Sequence, residues 1–319
     1  MKKTANPANV AWEQADLTNH NSVAAVCEKY SPDVVIHCAG IAHQKVGSVD
    51  SSTYMRVNSE STENLAKAAS QVNPDVRFIF LSSVSVYGEG PGITSRKGAT
   101  AQKRKNYNGI GENGKCQPSS DYARNKLDAE RRLIALADEG ILNDLIILRL
   151  APVYDREWSF NLNRRVLAPL KITYIRFGSG RQRMSALARP NLVHFIEFLI
   201  KSKLATDAHR HIGRKKEKDT GVNILNVCDA EPYEFNTIIQ LFKSCGARPN
   251  RPVIPVPLPV VWLATRMAGC LLPDKKRWLH SCYDKLASSL VFNNEKMLKT
   301  GFKPRHSLQT IFQSADFAD

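Results

Sequence analysis

The sequence predicts an α/β protein built on an open, doubly wound parallel sheet, with a smaller α/β region toward the C-terminus. Three observations lead there. Short apolar runs at 33–38, 76–81 and 144–149 read as buried strands, and amphipathic stretches at 21–30, 50–71 and 119–139 read as the helices between them. The run at 76–81 leads directly into Ser82-Ser83-Val84-Ser85-Val86-Tyr87-Gly88. Hydroxyls therefore gather at a strand's C-terminal end, the edge of a parallel sheet where ligands bind. A composition of 43% hydrophobic and 24% charged residues over 319 positions supports one large or two fused globular domains and argues against disorder.

In chain order, residues 1–9 are polar and contain Pro7, and Val10-Ala11-Trp12 reads as a first strand running into Asp16-Leu17-Thr18. Asp33-Val34-Val35-Ile36 is the next strand, followed by the small-residue segment His37-Cys38-Ala39-Gly40. The helix at 50–71 carries Asn58. Gly88-Glu89-Gly90-Pro91-Gly92 reads as a turn, since Pro91 and the basic residues after it do not suit the start of a phosphate-binding helix. It opens a Gly- and Lys-rich connection reaching Ser119, which is either a lid between Ser83 and Tyr122 or a surface insertion.

The helix at 119–139 carries Tyr122-Ala123-Arg124-Asn125-Lys126, which sets a phenol and an ammonium four residues apart on one face. Using tyrosine as an acid/base near neutrality requires lowering its pKa by roughly 3 units, about 4 kcal/mol. An ammonium about 5 Å away at an effective dielectric of ~20 supplies roughly 3 kcal/mol of this.

After Asp155 the pattern changes to polar and basic segments at 161–170 and 176–185. Glu231-Pro232-Tyr233 opens another helix, and prolines alternate with apolar residues at 249–259, which reads as an extended connection. Residues 260–272 form an apolar stretch containing Arg266, too short to span a bilayer. It reads as an amphipathic helix against the core, with contact to a membrane surface as the alternative. The expected division is 1–158 and 159–319, the second partly interleaved with the sheet.

Taken together, these motifs resemble the extended short-chain dehydrogenase/reductase family, in particular its nucleotide-sugar epimerases, dehydratases and 4-keto reductases. Asp16-Leu17 resembles the acidic turn that meets the adenine, Cys38-Ala39-Gly40 the segment lying along the cofactor, and Asn58 the asparagine of the following helix. Ser83, Tyr122 and Lys126 match the catalytic hydroxyl, tyrosine and lysine. Leu148-Arg149-Leu150-Ala151-Pro152-Val153-Tyr154 is similar to the strand and loop that follow. Arg183-Met184-Ser185 resembles the segment holding the nucleotide diphosphate, and Lys299-Thr300-Gly301-Phe302-Lys303-Pro304 the closing segment.

The resemblance implies a Rossmann-like sheet and hydride exchange at a sugar carbon with NAD or NADP. Tyr122 would move the proton, Ser83 would hydrogen-bond the same oxygen, Lys126 would also bind the nicotinamide ribose, and Arg183 and Asn161 would hold the diphosphate. It implies a role in surface polysaccharide precursor synthesis. A catalytically silent relative binding a sugar nucleotide or a protein partner is the alternative. The beginning departs from the family: no strand and glycine-rich turn precede Val10. The sheet is thus expected to lack its first two strands, to expose the strand near 34–38 as an unpaired edge, and to bind dinucleotide weakly or not at all, as a truncated reading frame would.

The net charge of +15 is unevenly distributed: residues 1–90 hold 7 Lys/Arg against 9 Asp/Glu, residues 91–319 hold 38 against 21. The basic residues cluster at 96–105, 214–218 and 275–277 with little aromatic interleaving, which argues against specific nucleic-acid binding and for anionic neighbours such as a nucleotide sugar or an anionic membrane. A homodimer is also expected. Seven cysteines form no close CxxC pair and suit reduced cytoplasmic thiols, and His209 and His211 lack partner ligands for a metal.

Overall fold

Strand-forming apolar runs and the helices between them lie where the periodicities put them, and the differences concern the chain's beginning and its late apolar helix. The computed structural model describes residues 10–42, 50–88, 109–168, 172–202, 221–245, 251–273 and 276–313. The basic clusters at 96–105 and 214–218, and His209 and His211, lie outside them. Helix α1 is His20–Tyr30, capped by Asn19, whose side chain accepts from the Ser22 amide at 3.2 Å. Strand β1 is Val34–His37. Helices α2, Ser51–Met55, and α3, Ser61–Val72, are joined by a π-helical turn, Arg56–Glu60, into the single helix the sequence predicts. Then come β2, Arg77–Ser83, and α4, Asp121–Asp138, whose cap Ser120 accepts from the Ala123 amide at 3.3 Å. Strand β3 is Asp144–Leu150 and β4 is Val153–Tyr154.

The second half contributes α5, Phe160–Val166; β5, Tyr174–Phe177; β6, Arg183–Met184; β7, Leu187–Ala188; and α6, Arg189–Lys201. It continues with β8, Val222–Val227; β9, Tyr233–Glu234; α7, Phe235–Cys245; and β10, Val253–Val256. Four helices close the chain: α8, Leu258–Leu271; α9, Lys276–Ala287; α10, Glu295–Lys299; and α11, Leu308–Gln313. The extended reading of 249–259 thus includes a true strand, β10, which pairs in parallel with β5.

The main sheet has the order β1-β2-β3-β8, all parallel. Its strands alternate in the sequence of buried faces. Phe78, Phe80, Leu145 and Ile147 pack on one side with Ala66, Ala69, Ala129 and Leu133 of α3 and α4. Ile79, Ile146, Leu148 and Leu225 pack on the other with Phe195 and Leu199 of α6. Burial on both faces explains why these strands read as continuous apolar runs. At the opposite end from the serine cluster, Arg77 pairs with Asp144 at 2.7 Å and donates to the Leu199 and Ser202 carbonyls, which ties β2, β3 and the C-terminus of α6 together.

Two expectations are corrected. Val10-Ala11-Trp12 forms no strand, and Trp12 is 80% exposed; three apolar residues between polar neighbours bury too little to offset the cost of ordering them. Strand β1 is accordingly an edge of the described sheet. Helix α8 forms where the apolar stretch predicts a helix, but its apolar side is turned outward: Leu263 and Met267 are 54% and 60% exposed. No described helix is long and apolar enough to cross a membrane.

Candidate functional site

Strand β2 ends in the serine cluster, and α4 is laid across that end by its apolar face. Ala129 and Leu133 of α4 are fully buried on Phe78 and Phe80. Because helical neighbours recur every three to four residues, the same face carries Lys126 and Tyr122 one and two turns earlier, over the C-terminal edge of the sheet.

There the Ser83 hydroxyl lies close enough to the Tyr122 phenol to act on its pKa. Ser83 is itself fixed: its Oγ accepts from the Ser85 amide at 3.2 Å and lies 3.0 Å from the Ser85 Oγ, capping the 3-10 turn Val84–Tyr87. Lys126 is 5% exposed. Its Nζ donates to the Leu81 carbonyl at 2.8 Å and sits 4.6 Å from the centre of the Phe80 ring. Burial pushes the ammonium down to about 8, with the charges of Cys38 and Glu130 opposing.

The Tyr122 phenol moves the other way from the expectation of a depressed tyrosine. Burial pushes it up, and Ser83 only partly offsets this. The four-residue spacing puts both groups on one face, and the ammonium is held at the sheet edge by the Leu81 carbonyl and the Phe80 ring.

The segment after β1 meets Lys126 from the other side. Asn58, in the π-helical turn, accepts from the Ile41 amide at 2.6 Å and donates to the Ile41 carbonyl at 2.9 Å. This pair of hydrogen bonds fixes Ile41 just after Cys38-Ala39-Gly40, which are all exposed. A Cβ on Gly40 would come within 3.0 Å of Asn58 Oδ1 and 3.8 Å of Lys126 Nζ, so glycine permits the close approach. The π turn is a costly local geometry often found at functional sites, and here it aims Asn58 inward. Below it, buried His37 meets Thr62 Oγ1 at 2.8 Å, and burial, then the Lys126 charge, pushes its imidazole down to about 4.

The other four expected site residues have local contacts of their own. Asp16 is spent locally, accepting from the Thr18 amide and hydroxyl at 2.9 and 2.8 Å, while Leu17 packs on the core. Arg183 lies in β6, where its amide donates to Ser289 Oγ at 3.0 Å, and Asn161 is a half-buried residue of α5.

The matching family model, the NAD dependent epimerase/dehydratase family, spans residues 1–184. The chain belongs to that family. A 167-residue stretch is 32% identical to a UDP-glucose 4-epimerase of Vibrio cholerae, covering 51% of this chain and 46% of that one. The chain spans about half the length of the curated relatives it matches. Its fold is similar to the UDP-glucuronic acid 4-epimerase of Bacillus cereus in complex with NAD, at 17% identity over 93% of this chain and 76% of that one with a TM-score of 0.60. It is likewise similar to the UDP-Glc/GlcNAc 4-epimerase of Campylobacter jejuni, at 18% identity over 95% and 82% with a TM-score of 0.62.

For an NAD-dependent family, the residues present fit one end of the dinucleotide. Among the described residues, buried Lys126 has one hydrogen bond for three N–H donors, and it faces an exposed small-residue segment that a nicotinamide ribose could line. The pyrophosphate end has no matching cradle among the described residues. Gly109-Ile110-Gly111-Glu112-Asn113-Gly114 has the glycine spacing of a dinucleotide turn, yet no helix starts on it among the described residues. It is bonded elsewhere: Ile110 pairs with the 291–293 segment, and Glu112 Oε1 accepts from the Asn226 amide at 2.9 Å.

Sequence reasoning missed the support beneath the site. Glu130, one turn after Lys126, pairs with Arg149 at 2.7 Å, and both are almost fully buried. Glu130 also accepts from Ser82 Oγ at 2.5 Å, while Arg149 donates to Tyr87 Oη and the Glu112 carbonyl, both at 3.0 Å. This network joins α4, the end of β2 and β3. Its only sequence signal was a glutamate four residues after the lysine, together with a charged residue inside the apolar run at 144–150.

Proposed function

We propose that this chain carries the proton-transfer machinery of a nucleotide-sugar 4-epimerase or 4-keto reductase, serving surface polysaccharide precursor synthesis. The observation that carries the reading is the meeting of Ser83 and Tyr122 at the C-terminal edge of the sheet, with Lys126 under Gly40 and Asn58. In this reading Tyr122 moves the proton of the reacting sugar hydroxyl and Ser83 holds the same oxygen. Lys126 donates to the nicotinamide ribose, with Cys38, Ala39, Gly40 and Asn58 along the cofactor and Asp16 and Leu17 toward its adenine. Arg183 and Asn161 hold the diphosphate, where an arginine fork suits phosphate oxygens. When bound, the cofactor supplies a hydride acceptor and, in its oxidised form, a positive charge.

That charge would oppose the upward push of burial on the Tyr122 phenol. The substrate class draws support from the Vibrio cholerae relative, a UDP-glucose 4-epimerase. NAD affinity is expected to be weaker than micromolar for this polypeptide. Calorimetric titration with NAD and with NADP, and absorbance near 340 nm after adding NADH and candidate keto-sugars, test the reading. Absence of any nucleotide-sugar-dependent change at saturating cofactor would remove it.

A second reading, a catalytically silent relative that binds a sugar nucleotide or a protein, is favoured by one observation. Strand β1 is an edge with Ile36 exposed, a row of backbone groups open to another strand.

A further inference from the structure

Helix α8 is the most conspicuous surface feature outside the candidate site. Its inner face is committed: Gly269 is buried, and a Cβ there would come within 3.3 Å of Lys276 Cγ, so the small residue lets α9 cross closely. The outer face is apolar along a helical stripe. Val260, Leu263, Met267 and Leu271 recur at intervals of three and four residues and are 56%, 54%, 60% and 81% exposed. Trp262 flanks the stripe with Arg266 stacked on its ring at 4.9 Å. Pro257 and Pro259 bring this helix directly off β10, where Ile254 is also exposed.

An apolar stripe of this kind on a soluble fold marks a contact surface. The charge around it selects the occupant. Residues 251–273 contain no Asp or Glu, and residues 251–287 hold six Lys/Arg against two acidic residues. The partner strand β5 belongs to the run 158–196, which has seven basic residues and no acidic one. Arg176, Arg181, Arg266 and Lys276 are exposed. A second copy seated on this face would bring like charge against like charge, whereas an anionic bilayer offers acyl chains to the stripe and phosphates to the arginines and lysines. At 14 residues the helix is suited to lie in the interface plane and too short to cross it.

We propose that α8 is a peripheral membrane-docking helix, inserting Val260, Leu263, Met267 and Leu271 among the lipids of an anionic surface while the flanking basic residues engage its phosphates. The proposal is independent of catalysis. Its test is sedimentation of the full chain with vesicles of phosphatidylcholine alone and with about one third phosphatidylglycerol. Binding is expected only to the anionic vesicles and is expected to weaken as salt rises. The double variant Leu263→Glu/Met267→Glu should lose affinity by at least about tenfold while keeping the parent's thermal transition, since both side chains already face water; Arg266→Glu should weaken binding by a smaller factor. Equal sedimentation of parent and double variant, or no binding to anionic vesicles, overturns the proposal. So does a dimer by gel filtration that the double variant converts to monomer without vesicle binding, which would assign the face to a second copy.

Discussion

Replacing Lys126 by methionine is expected to make this protein more stable near neutral pH, although it removes a residue placed at the centre of the candidate site. The lysine is lowered from an ordinary value of 10.5 to about 8 because its ammonium is buried with one hydrogen bond and an aromatic face in place of water. A shift of that size means that folding holds the charge at a cost of about 3 kcal/mol. Methionine has similar length, fits against Phe80, and carries no charge; losing the bond to the Leu81 carbonyl costs about 1 kcal/mol. The net gain at pH 7 is therefore about 2 kcal/mol. The sign with pH follows from proton counting. Between about 8 and 10.5 the unfolded lysine keeps its proton while the folded one gives it up, so the parent gains stability as pH rises and the variant does not. The variant's advantage should shrink by about 2 kcal/mol between pH 7 and 9.5. Urea unfolding followed by circular dichroism at both pH values measures it. A variant less stable than the parent at pH 7, or an advantage that does not change with pH, would refute the account of Lys126 as a desolvated cation.

Three further outcomes are expected. His37, lowered to about 4, is neutral in the fold, whereas the unfolded residue takes up a proton near 6.5. Stability should thus fall as pH drops from about 6.5 toward 4, by up to about 3 kcal/mol from this group, and His37→Phe should flatten that slope in acid titrations of the unfolding midpoint. Glu130→Gln strands the buried Arg149 charge and should cost about 3–5 kcal/mol in urea unfolding, most of it recovered by the apolar double variant Glu130→Leu/Arg149→Met. Tyr122→Phe should abolish turnover at saturating cofactor while leaving sugar-nucleotide affinity within a few-fold of the parent; retained turnover would take Tyr122 out of the mechanism.

Periodicity was a reliable guide wherever burial imposed it. Phe78, Ile79 and Phe80 alternate between two packed faces, and α4 keeps one apolar face on them, so the strands and the helix were legible. Val10-Ala11-Trp12 failed because three residues carry a pattern but not enough buried area to hold a strand. Helix α8 failed differently: a stripe at 3.6-residue spacing says that a face is apolar, and it says nothing of whether protein covers it. The Glu130–Arg149 pair was hidden because its two members lie in different elements and meet only when β3 and α4 are assembled.

The distance between sequence pattern and chemistry is clearest in the Tyr122/Lys126 pair. Spacing guarantees a shared helix face, but it leaves the rotamer of a long lysine side chain to local competition. Here the Leu81 carbonyl and the Phe80 ring offer Nζ a hydrogen bond and a cation–π contact at the sheet edge, and Glu130 one turn on adds charge from the same side. The ammonium is held there, and on Tyr122 burial acts upward and Ser83 downward. Spacing therefore places the two groups on one face without fixing how they act on each other; the competition for Nζ and the burial of the phenol do that.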